Sequence, residues 1–158
     1  MANRSELPFL PYGRHAIADD DIEAVTRVLR SDFLTTGPAV AEFEEAFARE
    51  TGAAHAVACA NGTAALHLAA LALELGPGDH VVVPTITFLA TANAVRFVGA
   101  EVIFADVDPE TGLMGTEELS AVLAANRDKN IRAVFPVHMA GRPTNSENVS
   151  TVARAAGL

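Results

Sequence analysis

The segment His55-Ala56-Val57-Ala58-Cys59-Ala60-Asn61-Gly62-Thr63-Ala64-Ala65-Leu66 passes from a short apolar run, through Asn-Gly, into a run of helix-forming residues. The apolar run predicts a buried strand over His55–Ala60, and the Asn-Gly pair is typical of a turn. The residues that follow predict a helix from about Thr63 to Leu75. We therefore expect a strand that turns directly into a helix, as in α/β proteins.

The same alternation of strands and helices continues along the chain. Apolar runs predict further strands at Val81–Val83, Glu101–Ala105 and Ile131–Val137, with helices at Phe88–Val98, Thr116–Asn126 and Ser146–Ala156. Apolar strands separated by amphipathic helices predict an α/β fold with a mostly parallel sheet and helices on both faces. Two further helices precede the sheet, one over Ile17–Arg30 and one that Gly37-Pro38 opens and that ends at Thr51-Gly52. We expect residues 1–52 to form an N-terminal arm with helices, and residues 53–158 to form the α/β domain.

Composition and charge exclude several classes of function. The 158 residues carry a formal net charge of −9, and the eleven Lys and Arg residues are scattered, which argues against nucleic-acid binding. No apolar run reaches the roughly 18 residues of a membrane span, and the first residues lack the apolar stretch of a secretory signal. We therefore expect a cytoplasmic protein that binds neither a membrane nor nucleic acid.

The turn into the predicted Thr63–Leu75 helix is a candidate phosphate site. In open α/β sheets, ligands bind at the carboxyl ends of the strands, and a helix that begins there presents N–H groups without intrahelical acceptors. Gly62 permits close approach, Thr63 adds a hydroxyl, and Ala64 leaves room for ligand oxygens. A plain N-cap explains these residues alone equally well. Pro84-Thr85 stands where a dinucleotide fold needs an acidic residue, which argues against a nicotinamide site.

Other candidate residues follow the later predicted strands. Phe88 is expected at the same sheet edge, where an aromatic ring can stack on a planar cofactor, although an isolated phenylalanine is more often a core residue. His138 either touches a ligand or braces a loop. Asp106 and Asp108 offer carboxylates for a metal ion, but the Asp-Pro-Glu-Thr-Gly sequence from Asp108 favours a turn. No metal is therefore implied.

Taken together, these segments resemble the DegT/DnrJ/EryC1/StrS family, the sugar-nucleotide aminotransferases that use pyridoxal 5′-phosphate (PLP) on the fold-type I scaffold. The resemblance spans nearly the whole chain, and the order and spacing of its motifs are specific, although each motif alone is weak. The stretches that carry it are Pro11-Tyr12-Gly13-Arg14, Ser31-Asp32-Phe33-Leu34-Thr35-Thr36-Gly37-Pro38, Asn61-Gly62-Thr63-Ala64-Ala65-Leu66-His67-Leu68, Pro84-Thr85-Ile86-Thr87-Phe88, Asp106-Val107-Asp108-Pro109 and Pro136-Val137-His138-Met139-Ala140-Gly141.

The resemblance implies the fold and the cofactor site. The fold is the incomplete large domain of a fold-type I PLP-dependent transferase, preceded by two helices. In the family, the turn that matches Gly62, Thr63 and Ala64 holds the phosphate of PLP, and the aromatic residue that matches Phe88 stacks on the pyridine ring. These implied roles agree with the properties of the residues themselves.

The resemblance also implies the substrates and the assembly. Family enzymes are homodimers that transfer an amino group from an amino acid, commonly glutamate, to a nucleotide-linked keto-sugar in polysaccharide or glycan biosynthesis. The stretch around Thr35 and Thr36 is implied near the sugar nucleotide and the partner subunit, so these two residues and His138 are the candidate substrate residues. The first two resembling stretches are most similar to the branch that makes UDP-4-amino-4,6-dideoxy-N-acetyl-β-L-altrosamine.

The catalytic residues of the family have no counterpart among these 158 residues. Family members carry an aspartate that pairs with the pyridine nitrogen and a lysine that binds PLP covalently, and both are expected beyond Leu158. Lys129, the only lysine, lies in a polar stretch and does not match the catalytic position. We therefore expect a fragment that is inactive alone. Two alternatives stay open: a PLP-dependent sugar dehydratase on the same fold, with histidine replacing the lysine, and an inactive short chain that only binds or pairs.

Overall fold

The computed structural model describes residues 13–158. Pro11 and Tyr12, which belong to the first resembling stretch, lie outside the described residues. The chain divides into two compact units, one ending at Ala58 and the other comprising Cys59–Leu158. The assignment of residues 1–52 to an arm and 53–158 to a domain stays a prediction.

The first unit contains helices α1 (Asp19–Leu29) and α2 (Pro38–Thr51). The Asp21 carboxylate accepts the N–H of Ala18 at 2.9 Å, and the acidic first turn of α1 complements the positive end of the helix dipole. α2 begins with proline at its first position, and Gly52 caps its C-terminus with a φ of 71°, in the left-handed region. Both helices therefore begin and end close to the predicted residues.

The second unit alternates helices and strands. Its elements are α3 (Gly62–Ala72), β1 (His80–Pro84), α4 (Ala90–Phe97), β2 (Glu101–Ala105), α5 (Thr116–Ala125), β3 (Ile131–Val134) and α6 (Ser146–Ala155). The three strands are parallel in the order β2-β1-β3, and the central strand pairs Val82 with Ile103 of β2 and with Val134 of β3. This arrangement confirms the predicted α/β fold.

Strand β1 forms the centre of two apolar clusters because successive side chains of a strand point to opposite faces of the sheet. On one face, residues of α3 and α4 pack with β1 in a cluster of Ala70, Leu75, Val81, Val83, Val95, Ala100 and Ala133. On the other face, residues of α5 and α6 pack with β1 in a cluster of Val82, Ala105, Met114, Leu119 and Val149. The helices therefore cover both faces of the sheet, as the sequence predicts.

The predicted strand at His55–Ala60 is wrong. These residues form no strand, and the side chain of Val57 is 80% exposed. A strand needs a neighbouring strand to satisfy its N–H and C=O groups, and within residues 13–158 the three strands of the sheet pair only with one another. The apolar run indicates a tendency to be buried, but it does not supply a partner strand.

Three predicted boundaries also move. β3 ends at Val134 rather than Val137, because Phe135 still donates its N–H to Val82 at 2.9 Å but Pro136 has no N–H with which to continue the ladder. α3 ends at Ala72, close to Glu74, whose φ is 54°. α4 begins at Ala90 rather than Phe88, which leaves Phe88 in the loop after β1. Among residues 13–158, no helix is long and apolar enough to cross a membrane.

Candidate functional site

The N-terminus of α3 is expected toward the carboxyl edge of the sheet. α3 ends at Ala72, and a short connection then leads to His80 at the amino end of β1. α3 packs mainly on α4, and its Ala70 belongs to the apolar cluster that contains Val81 and Val83 of β1. The 11 residues of α3 extend over about 16 Å, close to the length of the five-residue strand. We therefore expect the first turn of α3 at the edge where ligands bind in open α/β sheets.

The first turn of α3 presents two backbone N–H groups without acceptors. Asn61 caps the helix in an extended conformation: its side chain accepts the N–H of Ala64 at 2.9 Å, and its carbonyl accepts the N–H of Ala65 at 3.0 Å. Among residues 13–158, neither the N–H of Gly62 nor that of Thr63 has a hydrogen-bond acceptor. Two such donors at the positive end of a helix dipole are suited to a phosphate or another anion.

The three predicted phosphate residues differ in what they offer. A Cβ placed on Gly62 would meet no atom within 4 Å, so the space beside its backbone is open to a ligand. Thr63 is half-buried, and its hydroxyl has no partner within the described part of the chain. The N–H of Ala64 is already engaged by Asn61, so Ala64 contributes a small side chain rather than a donor in this arrangement. Their role in phosphate binding stays a prediction.

Phe88 is exposed in the loop between β1 and α4. Its side chain is 76% exposed, so the alternative that it is a core residue does not hold within the second unit. The loop leaves β1 at Pro84, at the carboxyl edge of the sheet. An exposed aromatic ring at this edge is suited to stacking on a planar ligand. Its role in binding PLP stays a prediction.

Thr35 and Thr36 lie in the first unit, between α1 and α2. Both are exposed, and the Thr36 hydroxyl donates to the carbonyl of Thr35 at 2.6 Å. Thr36 has a φ of 54°, which is rare for a β-branched residue and costs on the order of 1–3 kcal/mol. Such strain is found disproportionately at functional sites. The substrate role of these two residues stays a prediction, and the strained backbone of Thr36 is a structural reason to test it.

His138 follows β3 and takes part in a compact loop. Its Nδ1 accepts the N–H of buried Thr144 at 3.0 Å, so the neutral ring carries its proton on Nε2. Between them, Met139 and Arg142 exchange backbone hydrogen bonds of 3.1 and 2.8 Å. His138 therefore braces this loop, and its exposed Nε2–H remains able to donate to a ligand. Contact with a substrate stays a prediction.

Asp108 forms the turn that its sequence predicts. Its Oδ1 accepts the N–H of Glu110 at 2.8 Å and the N–H of Thr111 at 2.7 Å. These bonds, first of all that from the Thr111 N–H, hold the pKa of Asp108 below its ordinary value, and the charge of Arg142 adds to the effect. Within the described residues, no group of three or more His, Cys, Asp or Glu is placed to hold a metal ion.

Acidification is expected to open the turn that begins at Asp108. Because the folded-state pKa of Asp108 is depressed, its stabilising contribution is complete above the ordinary pKa of 3.8 and is lost as the pH falls through the lower folded-state pKa. The amide proton of Thr111, followed by NMR during an acid titration, should therefore shift with a midpoint below pH 3.8. A midpoint at or above that value would contradict the assignment.

The N-cap that the sequence left open at the turn into α3 is present: the side chain of Asn61 accepts the N–H of Ala64. Sequence reasoning missed another feature of the site. The hydroxyls of Thr87 and Thr91 lie 2.8 Å apart beside Phe88. Residues four apart are neighbours on a helix, so the spacing of these two threonines could have indicated a contact. However, Thr87 precedes α4, and it also lies outside the predicted helix that begins at Phe88. The predicted helix therefore gave no reason to pair them.

The chain is similar in sequence and in structure to known aminotransferases. A sequence model of the DegT/DnrJ/EryC1/StrS aminotransferase family matches residues 15–158. A DegT DnrJ EryC1 StrS aminotransferase from Brucella abortus is 38% identical, with a TM-score of 0.81 over 87% of this chain and 38% of its own. The aminotransferase from Psychrobacter cryohalolentis is 35% identical, with a TM-score of 0.83 over 96% of this chain and 37% of its own.

A third similar structure contains a cofactor. NtdA from Bacillus subtilis, solved with bound cofactor PMP, is 27% identical, with a TM-score of 0.80 over 90% of this chain and 33% of its own. The present chain therefore spans between 33% and 38% of the length of these relatives.

Proposed function

The chain belongs to the DegT/DnrJ/EryC1/StrS aminotransferase family, and from this premise we propose that it forms the phosphate-binding part of a PLP-dependent sugar aminotransferase. The main observation in support is the first turn of α3, where the N–H groups of Gly62 and Thr63 have no acceptor among residues 13–158. A phosphate at this position would satisfy both donors and the positive end of the helix dipole.

The described residues fit the phosphate and ring of PLP. Gly62 and Thr63 would bind phosphate oxygens through their N–H groups, and the Thr63 hydroxyl would supply a third donor. Phe88, exposed at the carboxyl edge, would pack against one face of the ring. When bound, PLP supplies an electron-withdrawing ring and a reactive carbonyl through which an amino group passes between an amino acid and a keto-sugar. The residues of this chain would bind and orient the cofactor.

The covalent attachment of PLP requires a lysine from outside residues 1–158. Lys129, the only lysine of the sequence, precedes β3 and therefore lies at the amino edge of the sheet. Its Nζ is 3.7 Å from the Asp128 carboxylate. Because Phe88 and the first turn of α3 are at the carboxyl edge, Lys129 is not placed to react there. We assign the attachment lysine and the aspartate that pairs with the pyridine nitrogen to other residues of the complete gene product.

The proposal also covers the substrate, the amino donor, the compartment and the assembly of the enzyme. The substrate is a nucleotide-linked keto-sugar, the amino donor is an amino acid such as glutamate, and the enzyme works in the cytoplasm as a homodimer that takes part in polysaccharide or glycan biosynthesis. Thr35, Thr36 and His138 would contact the sugar nucleotide, and the exposed Nε2–H of His138 is suited to a sugar or phosphate oxygen. The product proposed from the first resembling stretches is UDP-4-amino-4,6-dideoxy-N-acetyl-β-L-altrosamine.

The proposal is tested by adding PLP to the complete gene product that carries this sequence. We expect a visible absorption band of covalently bound PLP that borohydride treatment fixes irreversibly. Residues 1–158 alone should show no such band, because no lysine lies at the carboxyl edge. Reversible binding of PLP to the complete protein without a borohydride-sensitive bond would instead favour a sugar dehydratase on the same fold. A complete protein that does not bind PLP would contradict the proposal.

A further inference from the structure

The loop that presents Phe88 is held mainly through its backbone. Thr85 donates its N–H to the carbonyl of Ala105 at 2.9 Å, which fixes the start of the loop to the end of β2. The side chain of Phe88 is 76% exposed, so few packing contacts within the second unit restrain it. Leu89, the N-cap of α4, provides no side-chain hydrogen bond to the helix. The direction of the ring therefore depends on what holds the backbone around Phe88.

Two threonine side chains hold that backbone. The hydroxyl oxygens of Thr87 and Thr91 lie 2.8 Å apart, and the Thr87 hydroxyl lies 3.4 Å from the carbonyl oxygen of Phe88. The N–H of Thr91 donates to the same carbonyl at 3.0 Å. If the Thr91 hydroxyl donates to Thr87 and Thr87 donates to Phe88, every hydroxyl proton of this pair has an acceptor. The carbonyl of Phe88 then accepts from both threonines.

Burial makes this pair more than a chance surface contact. Thr91 is 6% exposed, so little of it is open to water that could replace Thr87 as the partner of its hydroxyl. A buried hydroxyl without a partner is destabilising, whereas Thr87 is only half-buried and can turn toward solvent. Thr91 is therefore the fixed member of the pair, and Thr87 is the member whose position it determines.

We propose that Thr91 is a positioning residue for PLP: through Thr87 and the carbonyl of Phe88, it sets the direction of the Phe88 ring that stacks on the cofactor. The proposal rests on the proposed function, because it requires PLP at the carboxyl edge of the sheet. Thr91 itself does not touch the cofactor. Its effect on cofactor binding passes through Phe88, and this dependence distinguishes a positioning role from a general contribution to folding.

The test is the Thr91→Val substitution in the complete gene product. Valine has the shape of threonine but no hydroxyl, so the fold should be retained while the pair with Thr87 is lost. We expect the dissociation constant for PLP to rise about 3- to 10-fold, the range of one hydrogen bond, and the visible circular dichroism of bound PLP to weaken. Thr91→Ser keeps the hydroxyl and should restore both readouts.

Two further variants separate positioning from other effects. Thr151→Val is the matched control, because within residues 13–158 the Thr151 hydroxyl bonds only to the Glu147 carbonyl of its own helix α6, at 2.9 Å. This variant should bind PLP like the unmodified protein. Phe88→Ala removes the ring. In that background, Thr91→Val should have no further effect on PLP affinity, since coupled residues are not additive.

The outcomes distinguish this inference from the proposed function. If the unmodified protein does not bind PLP, the proposed function fails and the inference fails with it. If the unmodified protein binds PLP and Thr91→Val binds it equally well, the inference alone is overturned. An equal loss of affinity from Thr91→Val with and without Phe88 would also overturn it, because the effect would then not pass through the ring.

Discussion

Replacement of Thr63 with aspartate is expected to weaken PLP binding by at least about 100-fold, or roughly 2.7 kcal/mol, without impairing folding. Thr63 is the second residue of α3, and a carboxylate near a helix N-terminus stabilises the helix. The same carboxylate would lie beside the phosphate of PLP. Two negative charges about 4 Å apart repel by about 4 kcal/mol at the effective dielectric constant near a protein surface. The dissociation constant is measured by titrating the complete gene product with PLP.

Two smaller changes at Thr63 serve as controls for this prediction. Thr63→Ser keeps the hydroxyl and should bind PLP nearly as well as the unmodified protein. Thr63→Ala removes one hydrogen bond to a charged group and should cost about 1 kcal/mol or more of binding free energy. An aspartate variant that is folded and binds PLP as tightly as the serine variant would contradict phosphate binding at α3.

Replacement of Leu119 with alanine is expected to lower the free energy of unfolding by about 2–5 kcal/mol. The Leu119 side chain is fully buried between α5, α6 and the sheet, where it belongs to the cluster that contains Val82, Met114 and Val149. Truncation removes apolar contacts on that face of β1 and leaves a cavity. The measurement is denaturant unfolding of the complete gene product without PLP.

The matched control for Leu119 is methionine, which conserves volume and should cost less than about 1.5 kcal/mol. The difference between the alanine and methionine variants isolates the cavity from any local effect on α5. Equal, small losses from both variants would mean that this face of the sheet is not packed as described.

The elements that were predicted correctly are those whose own residues indicate their backbone conformation. Val81–Val83 is apolar at every position, as is typical of a central parallel strand that is buried on both faces. Pro38 and Gly52 mark the two ends of α2, because proline suits the first turn of a helix and glycine readily adopts left-handed φ. These residues determine their own backbone conformation, so the sequence alone was sufficient.

One error in the predicted strands arises from a missing pairing partner, and the other from a proline within the predicted strand. His55–Ala60 has the composition of a strand but has no neighbouring strand among residues 13–158, so its local pattern was misleading. The β3 prediction extended through Pro136, although a proline cannot donate to the ladder, and this error was avoidable. Whether a run of apolar residues becomes a strand is decided by pairing, and pairing is not encoded within the run.

The candidate site was predictable by residue type rather than by geometry. The sequence and the family resemblance indicated Gly62, Thr63, Ala64 and Phe88. The sequence also left open an N-cap at the turn into α3, which Asn61 forms by accepting the N–H of Ala64. The pair formed by the Thr87 and Thr91 hydroxyls depends on the turn before α4. Periodicity placed the start of that helix at Phe88, two residues before its observed start at Ala90. Side-chain hydrogen bonds at helix ends require the exact start of the helix.

The central claim, that the first turn of α3 binds the phosphate of PLP, is tested most directly by a crystal structure of the complete gene product with PLP. We expect phosphate oxygens within about 3 Å of the backbone nitrogens of Gly62 and Thr63, the distance of a hydrogen bond, with the ring of Phe88 against the pyridine. A structure in which PLP is bound, but its phosphate is held elsewhere while these two N–H groups face water, would contradict the account.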